Sequence, residues 1–519
     1  MAPTYHAGTW ASYLEALTLG ALTALALPPI GGVPILFLTF PRFLKLFSLQ
    51  SGSNSRQAFF IGWWFGFGFF VAGLYWIAFS LHVDLQRFFW LIPFAVLGIP
   101  AILAIYIGLI TLITRFLRVQ GLSRCLLFAV LWTGFEWIRG HFFFAFPWNL
   151  IGYSWDRFPS FLQLAAYVGI YGVSLVTVFL ATLLNLWDEW KNRKLARSLM
   201  TTAFVLSLII WGIIGSMRLY DSAPSKFSTK STMIRLVQPN IEQKIKWRRD
   251  TAQAQFQHLL KLTTQPADDL WNKQPDIIVW PESAVPFFLD ESQHALNIIA
   301  NVLPDNSILI TGAPRRTFGE PKPFTLWNSV FAINHQGEIV GVYDKFHLVP
   351  FGEYLPLRKL LPTIPKITEG TIDYSAAKGP QTLELPGLPP VSPLVCFEGI
   401  FPSEVTATQG PRPKWLLNIT NDAWFGYTSG PFQHFASVRV RAIEEGLPLI
   451  RVANSGISGI IDAYGRVIAT LGLNKNGVLN VLLPPPIKEQ TFYGRFGDLI
   501  LVKLIGLLLI LSLLVRRFR

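Results

Sequence analysis

Three short segments in the middle of the chain each end an apolar, β-rich run on a reactive side chain. In Asp276-Ile277-Ile278-Val279-Trp280-Pro281-Glu282-Ser283 a strand runs into Trp-Pro and then a carboxylate. Pro281 stiffens the turn that holds Glu282. Taken alone, Glu282 reads better as a solvated loop residue. In the run from Val342 to Tyr354 a strand ends at Lys345, and a tight Pro/Gly turn brings Glu353 close. A single lysine is ordinarily a surface charge, but one between aromatic and apolar neighbours can keep its charge beside Glu282 and Glu353. In Val391-Ser392-Pro393-Leu394-Val395-Cys396-Phe397-Glu398 a strand ends at a thiol with an acidic residue two places on. Cysteine commonly packs as an inert small hydrophobe. The chain has only one other, Cys125, in an apolar run, and the two are not expected to pair. An unpaired thiol outside the cytoplasm calls for a reason, and a catalytic nucleophile is one.

The elements that must carry these groups lie in a stretch of ordinary soluble character, about 221–494. β-rich runs near Met233–Val237, Ile277–Trp280, Ser307–Thr311, Ile339–Tyr343, Ser392–Phe397, Trp415–Thr420 and Leu449–Ala453 alternate with helical patterns at Asp250–Thr263, Gln293–Val302 and Gln433–Glu445. Strands alternating with helices predict an α/β or layered α+β domain. Asn418-Ile419-Thr420 forms a glycosylation sequon but reads better as a buried strand end.

The rest of the chain is of another kind. Of 519 residues, 51% are apolar and 14% charged, against about 25% charged in ordinary soluble domains. That composition excludes a soluble cytosolic enzyme, a disordered chain and a disulfide scaffold. No CxxC, HExxH or Cys/His cluster is present, so no metal site is expected. Apolar stretches lie near Tyr13–Leu27, Gly32–Leu49, Ala58–Leu81, Phe88–Phe116, Cys125–Ile138, Phe161–Trp187 and Ser198–Met217. Several reach the roughly 20 residues a bilayer span needs. Pro28-Pro29, Pro41, Arg42 and Lys45 interrupt the first two, so residues 13–49 read as two spans or as one re-entrant hairpin. A last apolar run, Asp498–Val515, ends in Arg516-Arg517-Phe518-Arg519. The predicted organisation is a membrane domain of about seven spans (1–220), a catalytic domain (221–494) and a final span with a basic tail (495–519).

Basic residues orient the chain. With the amino terminus inside, the inner loops and tail carry thirteen basic residues against Arg87, Arg139 and Arg157 outside. The positive-inside rule then places the middle domain outside the cytoplasm. This loop asymmetry also accounts for the net charge of +13 without nucleic acid. The amino terminus lacks a basic n-region, and no cleaved signal peptide is expected. Glu136 and Arg139 sit three apart on one span and are expected to form a structural pair. The aromatic run Trp63-Trp64-Phe65 reads as packing or lipid-facing surface.

The ordered set of motifs resembles the bacterial apolipoprotein N-acyltransferases, whose outer domain belongs to the nitrilase superfamily. Trp280-Pro281-Glu282-Ser283-Ala284, Tyr343-Asp344-Lys345 with His347 through Tyr354, Cys396-Phe397-Glu398 and Asn421-Asp422-Ala423-Trp424-Phe425-Gly426 carry the likeness. Phe65-Gly66-Phe67-Gly68, Glu136-Trp137-Ile138-Arg139-Gly140 and Phe146-Pro147-Trp148 carry it through the membrane part. The resemblance implies a polytopic α-helical membrane domain plus an α/β nitrilase-like domain built as an α-β-β-α sandwich. It implies a triad of Glu282, Lys345 and Cys396. Glu353 matches the glutamate that orients the lysine, Glu398 a glutamate beside the nucleophile, and Asn328 a polar residue near the lysine. Trp247 matches a tryptophan on a substrate-side loop, and Trp424 is expected on a second such loop. Phe397 stands where tyrosine is common, so any hydroxyl contact is lost while the backbone role stays.

The implied reaction needs no cofactor. A glutamate takes the thiol proton, the thiolate attacks an ester, and Lys345 with the Phe397 N–H stabilises the oxyanion. The resemblance implies a phospholipid acyl donor of the phosphatidylethanolamine type. The implied acceptor is the α-amine of the diacylglyceryl-cysteine of an apolipoprotein. It further implies a monomer in the bacterial inner membrane with its catalytic domain in the periplasm. Rival readings are a membrane-tethered amidase using water and an inactive receptor or transport protein.

Overall fold

The structure is a computed structural model describing residues 9–48, 55–220, 231–266, 273–319, 322–356, 366–368 and 372–517. Most of the expected linker (221–230) and Arg519 of the basic tail lie outside the described residues. The chain divides into two compact units. The first comprises Met1–Ala78, Leu85–Asp221 and Thr491–Arg519; the second, Phe79–Asp84 and Ser222–Gln490.

The first unit is helical. Ser55–Leu91, Phe94–Leu117, Gly121–His141, Ala165–Glu189 and Lys194–Tyr220 are long and apolar enough to cross a membrane, and Leu499–Ser512 is a shorter apolar helix. The two proline-interrupted segments form helices Thr9–Thr23 and Leu36–Ser48, of 15 and 13 residues, tied by Thr23 Oγ1 to Thr39 Oγ1 at 2.9 Å. Glu136 and Arg139 are both buried, and each finds its partners in the segment that follows their helix. Glu136 accepts from the Ile151 N–H at 2.9 Å and from Trp132 Nε1 at 3.0 Å. Arg139 donates to the carbonyls of Phe146 and Trp148, both at 2.7 Å. The two charges, three residues apart on one helix, act on each other and together fasten 146–151. Charged groups in a span persist when their hydrogen bonds are met inside the protein.

The second unit is built on two sheets. The strands are β1 (Met233–Gln238), β2 (Ile277–Val279), β3 (Ile308–Gly319), β4 (Lys322–Asn334), β5 (Ile339–Asp344), β6 (Val391–Val395), β7 (Trp415–Thr420), β8 (Leu449–Ala453), β9 (Ser458–Ile461), β10 (Val467–Leu471) and β11 (Gly477–Leu482). One sheet has the order β11-β1-β2-β3-β4-β5, the other β10-β9-β8-β7-β6. In each, three neighbouring strands run parallel: β1-β2-β3 in the first, and β8-β7-β6, ending at the edge strand β6, in the second.

Alternation along the strands sorts the side chains into layers. Ile234, Leu236, Ile277, Val279, Ile308 and Ile310 meet Trp415, Leu417, Ile419, Ile450 and Val452 between the sheets. The intervening Val237, Ile278 and Leu309 face outward, onto helices Arg249–Thr264 and Gln293–Val302. Leu394, Leu416 and Leu449 face outward onto helix Gly430–Glu445. The result is an α-β-β-α sandwich whose central strands are covered on both faces. That is why they read as continuous apolar runs. The seven strands and three helices expected from sequence are all present. The structure adds β4 and the return strands β9 to β11, whose polar or exposed residues blunt the apolar signal.

Candidate active site

Glu282 stands on the turn after β2. Trp280 anchors that turn: its N–H donates to the Ile310 carbonyl at 2.9 Å and its Nε1 to Thr263 Oγ1 at 2.9 Å. Gly312 of β3 runs directly beneath, its N–H on the Pro281 carbonyl at 3.2 Å. A Cβ at Gly312 would lie 2.6 Å from the Ser283 nitrogen and 2.8 Å from Glu282 Cα. Only glycine lets these backbones approach so closely.

Lys345 follows β5. Its N–H bonds the Asn328 carbonyl of β4 at 3.0 Å, which brings the side chains of Asn328 and Lys345 to one end of the sheet. Glu353 returns to the same place through a tight turn, its N–H on the Val349 carbonyl at 2.9 Å. Asn328 Nδ2 has two hydrogens and places one on each carboxylate, 2.9 Å to Glu282 and 2.8 Å to Glu353. The Lys345 ammonium is 1% exposed and lies 2.9 Å from Glu353 and 3.6 Å from Glu282.

These distances divide the labour between the carboxylates. Glu353 accepts from Asn328, Lys345 and the Val349 N–H, and is fully engaged. Glu282 holds one hydrogen bond from Asn328 and a longer ion pair, so fewer donors occupy its oxygens. Burial by itself would push the Lys345 ammonium down. Glu353 first, and then Glu282, outweigh burial and hold it above the ordinary lysine value.

The thiol comes from the other sheet. Cys396 ends β6 with a left-handed backbone, φ +54°, and opens the short turn Cys396–Ile400. Its carbonyl is held at 3.2 Å by Asn418 Nδ2 of β7 and at 3.2 Å by His434 Nε2 of the outer helix. His434 in turn lies 2.9 Å from Asp422, and Arg451 of β8 donates to Asp422 at 2.7 Å. Burial, and then the charge of Glu282, push the Cys396 thiol well up; Lys345 opposes them. Burial thus keeps this sulfur on the thiol side of its titration.

Glu398 joins the two strand ends. Fully buried, it accepts from Val395 N–H at 2.6 Å and Tyr343 OH at 2.9 Å with one oxygen, and from Phe346 N–H at 2.6 Å with the other. Those donors flank Cys396 and Lys345. Burial pushes its carboxyl up to about 7 against the pull of these donors and Lys345. Phe397 is buried with its ring edge-on to Phe401. Trp247 and Trp424 are half-buried, on segments after β1 and β7, and among the described residues neither joins the hydrogen-bonded cluster. His347 gives its backbone N–H to Glu398 at 3.2 Å, while its ring turns to Glu404, 2.5 Å away, and stacks on Phe401.

Comparison with known proteins follows this geometry. Residues 19–183 match the family model described as apolipoprotein N-acyltransferase N-terminal domain, and 233–486 the model for carbon-nitrogen hydrolase. An apolipoprotein N-acyltransferase of Rhodopseudomonas palustris is 39% identical over 98% of this chain and 96% of its own length. One from Rhizobium etli is 42% identical over 90% of this chain and 89% of its own length. The chain belongs to the apolipoprotein N-acyltransferase family. Its second unit has the carbon-nitrogen hydrolase fold of the nitrilase superfamily.

Sequence reasoning passed over part of this family site. Lys246 is buried and donates to the Glu282 carbonyl at 3.0 Å. In sequence it sits in a lysine-rich, solvated-looking run beside Trp247. Asp422, Asn418 and Arg451, which support the nucleophile through His434 or directly, lie on separate elements with no shared spacing to reveal them.

The Gly312 contact generates a prediction. Gly312→Val must displace the Glu282 turn, and a shift of about 1 Å at a reacting group can cost about 10²-fold. Acyl-transfer rate should fall by that order while the protein still purifies as a folded, monodisperse species. A wild-type rate would show that Glu282 does not depend on this approach.

Proposed function

We propose that this enzyme moves an acyl chain from a membrane phospholipid, through a thioester on Cys396, to the α-amine of a diacylglyceryl-modified apolipoprotein. The observation that carries the reading is the buried convergence of Glu282, Lys345 and a protonated Cys396 thiol in a chain akin to these acyltransferases over nearly its whole length.

Glu282 takes the thiol proton, and the sulfur forms a bond to the ester carbonyl carbon. The tetrahedral oxyanion is met by Lys345 and the Phe397 N–H. As the C–O bond breaks, Glu282 returns the proton to the leaving glycerol oxygen. Lysophospholipid departs and the acyl group stays on sulfur. A neutral amine then attacks the thioester, Glu282 takes its proton, and the C–S bond breaks to give the amide. The proton returns to the sulfur. Trp247 and Trp424 line the substrate path in this reading. One chain supplies every group, so a monomer suffices. The acyl group waits on Cys396, so the two lipid substrates use the cleft in turn.

Phosphatidylethanolamine vesicles alone should therefore add one acyl mass to the protein and release one equivalent of lysophospholipid. Cys396→Ser should abolish both, because a hydroxyl is a poor nucleophile with only a carboxylate base. Cys125→Ser should leave both intact; that thiol is buried in the helical unit against the Thr182 carbonyl. Acylation that depends on Cys125 instead would sink the mechanism.

Glu282→Gln should slow thioester formation by about 10²–10⁴. Lys345→Ala should slow it by about 10²–10³, and Lys345→Arg should not rescue because a planar fork cannot replace a compact ammonium. Phospholipid affinity should hardly change. Weakened affinity with normal chemistry would reassign both residues to binding.

The basic-loop asymmetry supports an inner-membrane enzyme with its catalytic unit in the periplasm. Single cysteines introduced at Ser222 or Thr232 in a cysteine-free background should react with an impermeant maleimide on intact spheroplasts. Labelling only after lysis would reverse the topology.

A further inference from the structure

Lys246 is a second ammonium at this site. It is 1% exposed and gives one N–H to the main-chain oxygen of Glu282 at 3.0 Å. Among the described residues that oxygen is its one acceptor, although an ammonium carries three N–H groups. Glu282 and the Cys396 thiol are the titratable groups that face it, and burial pushes it down to about 8 against their pull. Lys345 lies 3.6 Å from the same Glu282 carboxylate.

The segment that carries Lys246 is fastened to both sheets. The Asn240 N–H donates to the Asn454 carbonyl at 2.8 Å, and the Asn454 side chain brackets Ile241 at 3.0 and 2.7 Å. Asn421 Nδ2 donates to Gln243 at 2.6 Å. Lys246 then reaches the turn of the first sheet. It is held in place, with no slack to carry its charge back to water as surface lysines do.

A hydrogen bond to one carbonyl does not require a charge, and burying an ammonium costs several kcal/mol. Negative charge nearby offsets that cost. At rest Glu282 and Glu353 bring two negative charges, and Lys345 supplies one positive. When the thiol proton moves to Glu282 the second negative charge moves to sulfur. With Lys246 charged, the cluster of these four side chains and the sulfur is neutral before and after the transfer.

Resting on the Glu282–Cys396 reading above, we propose that Lys246 is a positioning residue that holds the Glu282 main chain and balances the charge of the Cys396 thiolate through the acyl-transfer cycle.

The test uses the full-length enzyme in detergent. Alkylation of Cys396 by iodoacetamide is followed by mass across pH, beside phospholipid-dependent acylation. Lys246→Met should lower the alkylation rate about tenfold near pH 7, the equivalent of one unit in the thiol titration, and move the titration upward. Lys246→Gln keeps a donor for the Glu282 carbonyl and loses the charge, so it should be slowed equally; it carries the test alone if the methionine variant is unstable. Alkylation of Lys246→Gln within twofold of wild type at every pH overturns the inference, whatever Lys246→Met does. Acylation that survives in Cys396→Ala would instead sink the proposed function itself.

Discussion

Everything at the site depends on one buried ammonium held between two carboxylates. Lys345 is out of water, and a lone buried charge there would cost more than the fold can spare. Glu353 makes it tolerable. It saturates its own oxygens on Lys345, Asn328 and a backbone N–H, and so keeps the ammonium charged and fixed. Glu282 is held less tightly, at 3.6 Å, with fewer donors on its oxygens. Two like residues thus acquire different work from a difference in partners alone. Removing Lys345 would leave both carboxylates buried without it, and breaking a buried pair in this way costs about 3–5 kcal/mol.

That arrangement constrains the nucleophile in turn. A thiol near a partly free carboxylate resists ionisation, and burial adds to the resistance. The backbone around the sulfur is fixed to match. The strained φ at Cys396 is sustained by hydrogen bonds to its carbonyl from Asn418 and His434. Glu398 fastens this elbow to the strand end that carries Lys345, so the groups from the two sheets keep one spacing.

The membrane unit obeys the same accounting with different means. Arg139 and Glu136 are kept in an apolar helix by satisfying the backbone of 146–151, which fastens that segment to their helix. Gly169 of the helix Ala165–Leu183 takes a left-handed φ of +67°, and a Cβ there would lie 2.2 Å from the Tyr493 ring. Only glycine leaves room for that ring beside the bend.

Much of this was legible in one chain of letters. Apolar periodicity gave the strands on which Glu282, Lys345 and Cys396 end, because parallel strands buried on both faces leave continuous apolar runs. Polarity gave the boundaries of the soluble stretch, and the distribution of arginine and lysine gave the expected sidedness. Residue type and order gave the family, since a carboxylate, an ammonium and a thiol after three strands form a rare series. What spacing along the chain cannot express is which partners meet across it. Glu282 and Glu353 differ by neighbours contributed from β4 and β5. Lys246 lies 36 residues before Glu282, in a run that looks solvated, and only the closure of its segment over the site buries it. Asp422, His434, Asn418 and Arg451 form a support because β7, β8 and the outer helix converge behind β6. Hydrophobic pattern is local and survives in sequence; charge pairing is set by distance in space, and that was decided only when the two sheets packed.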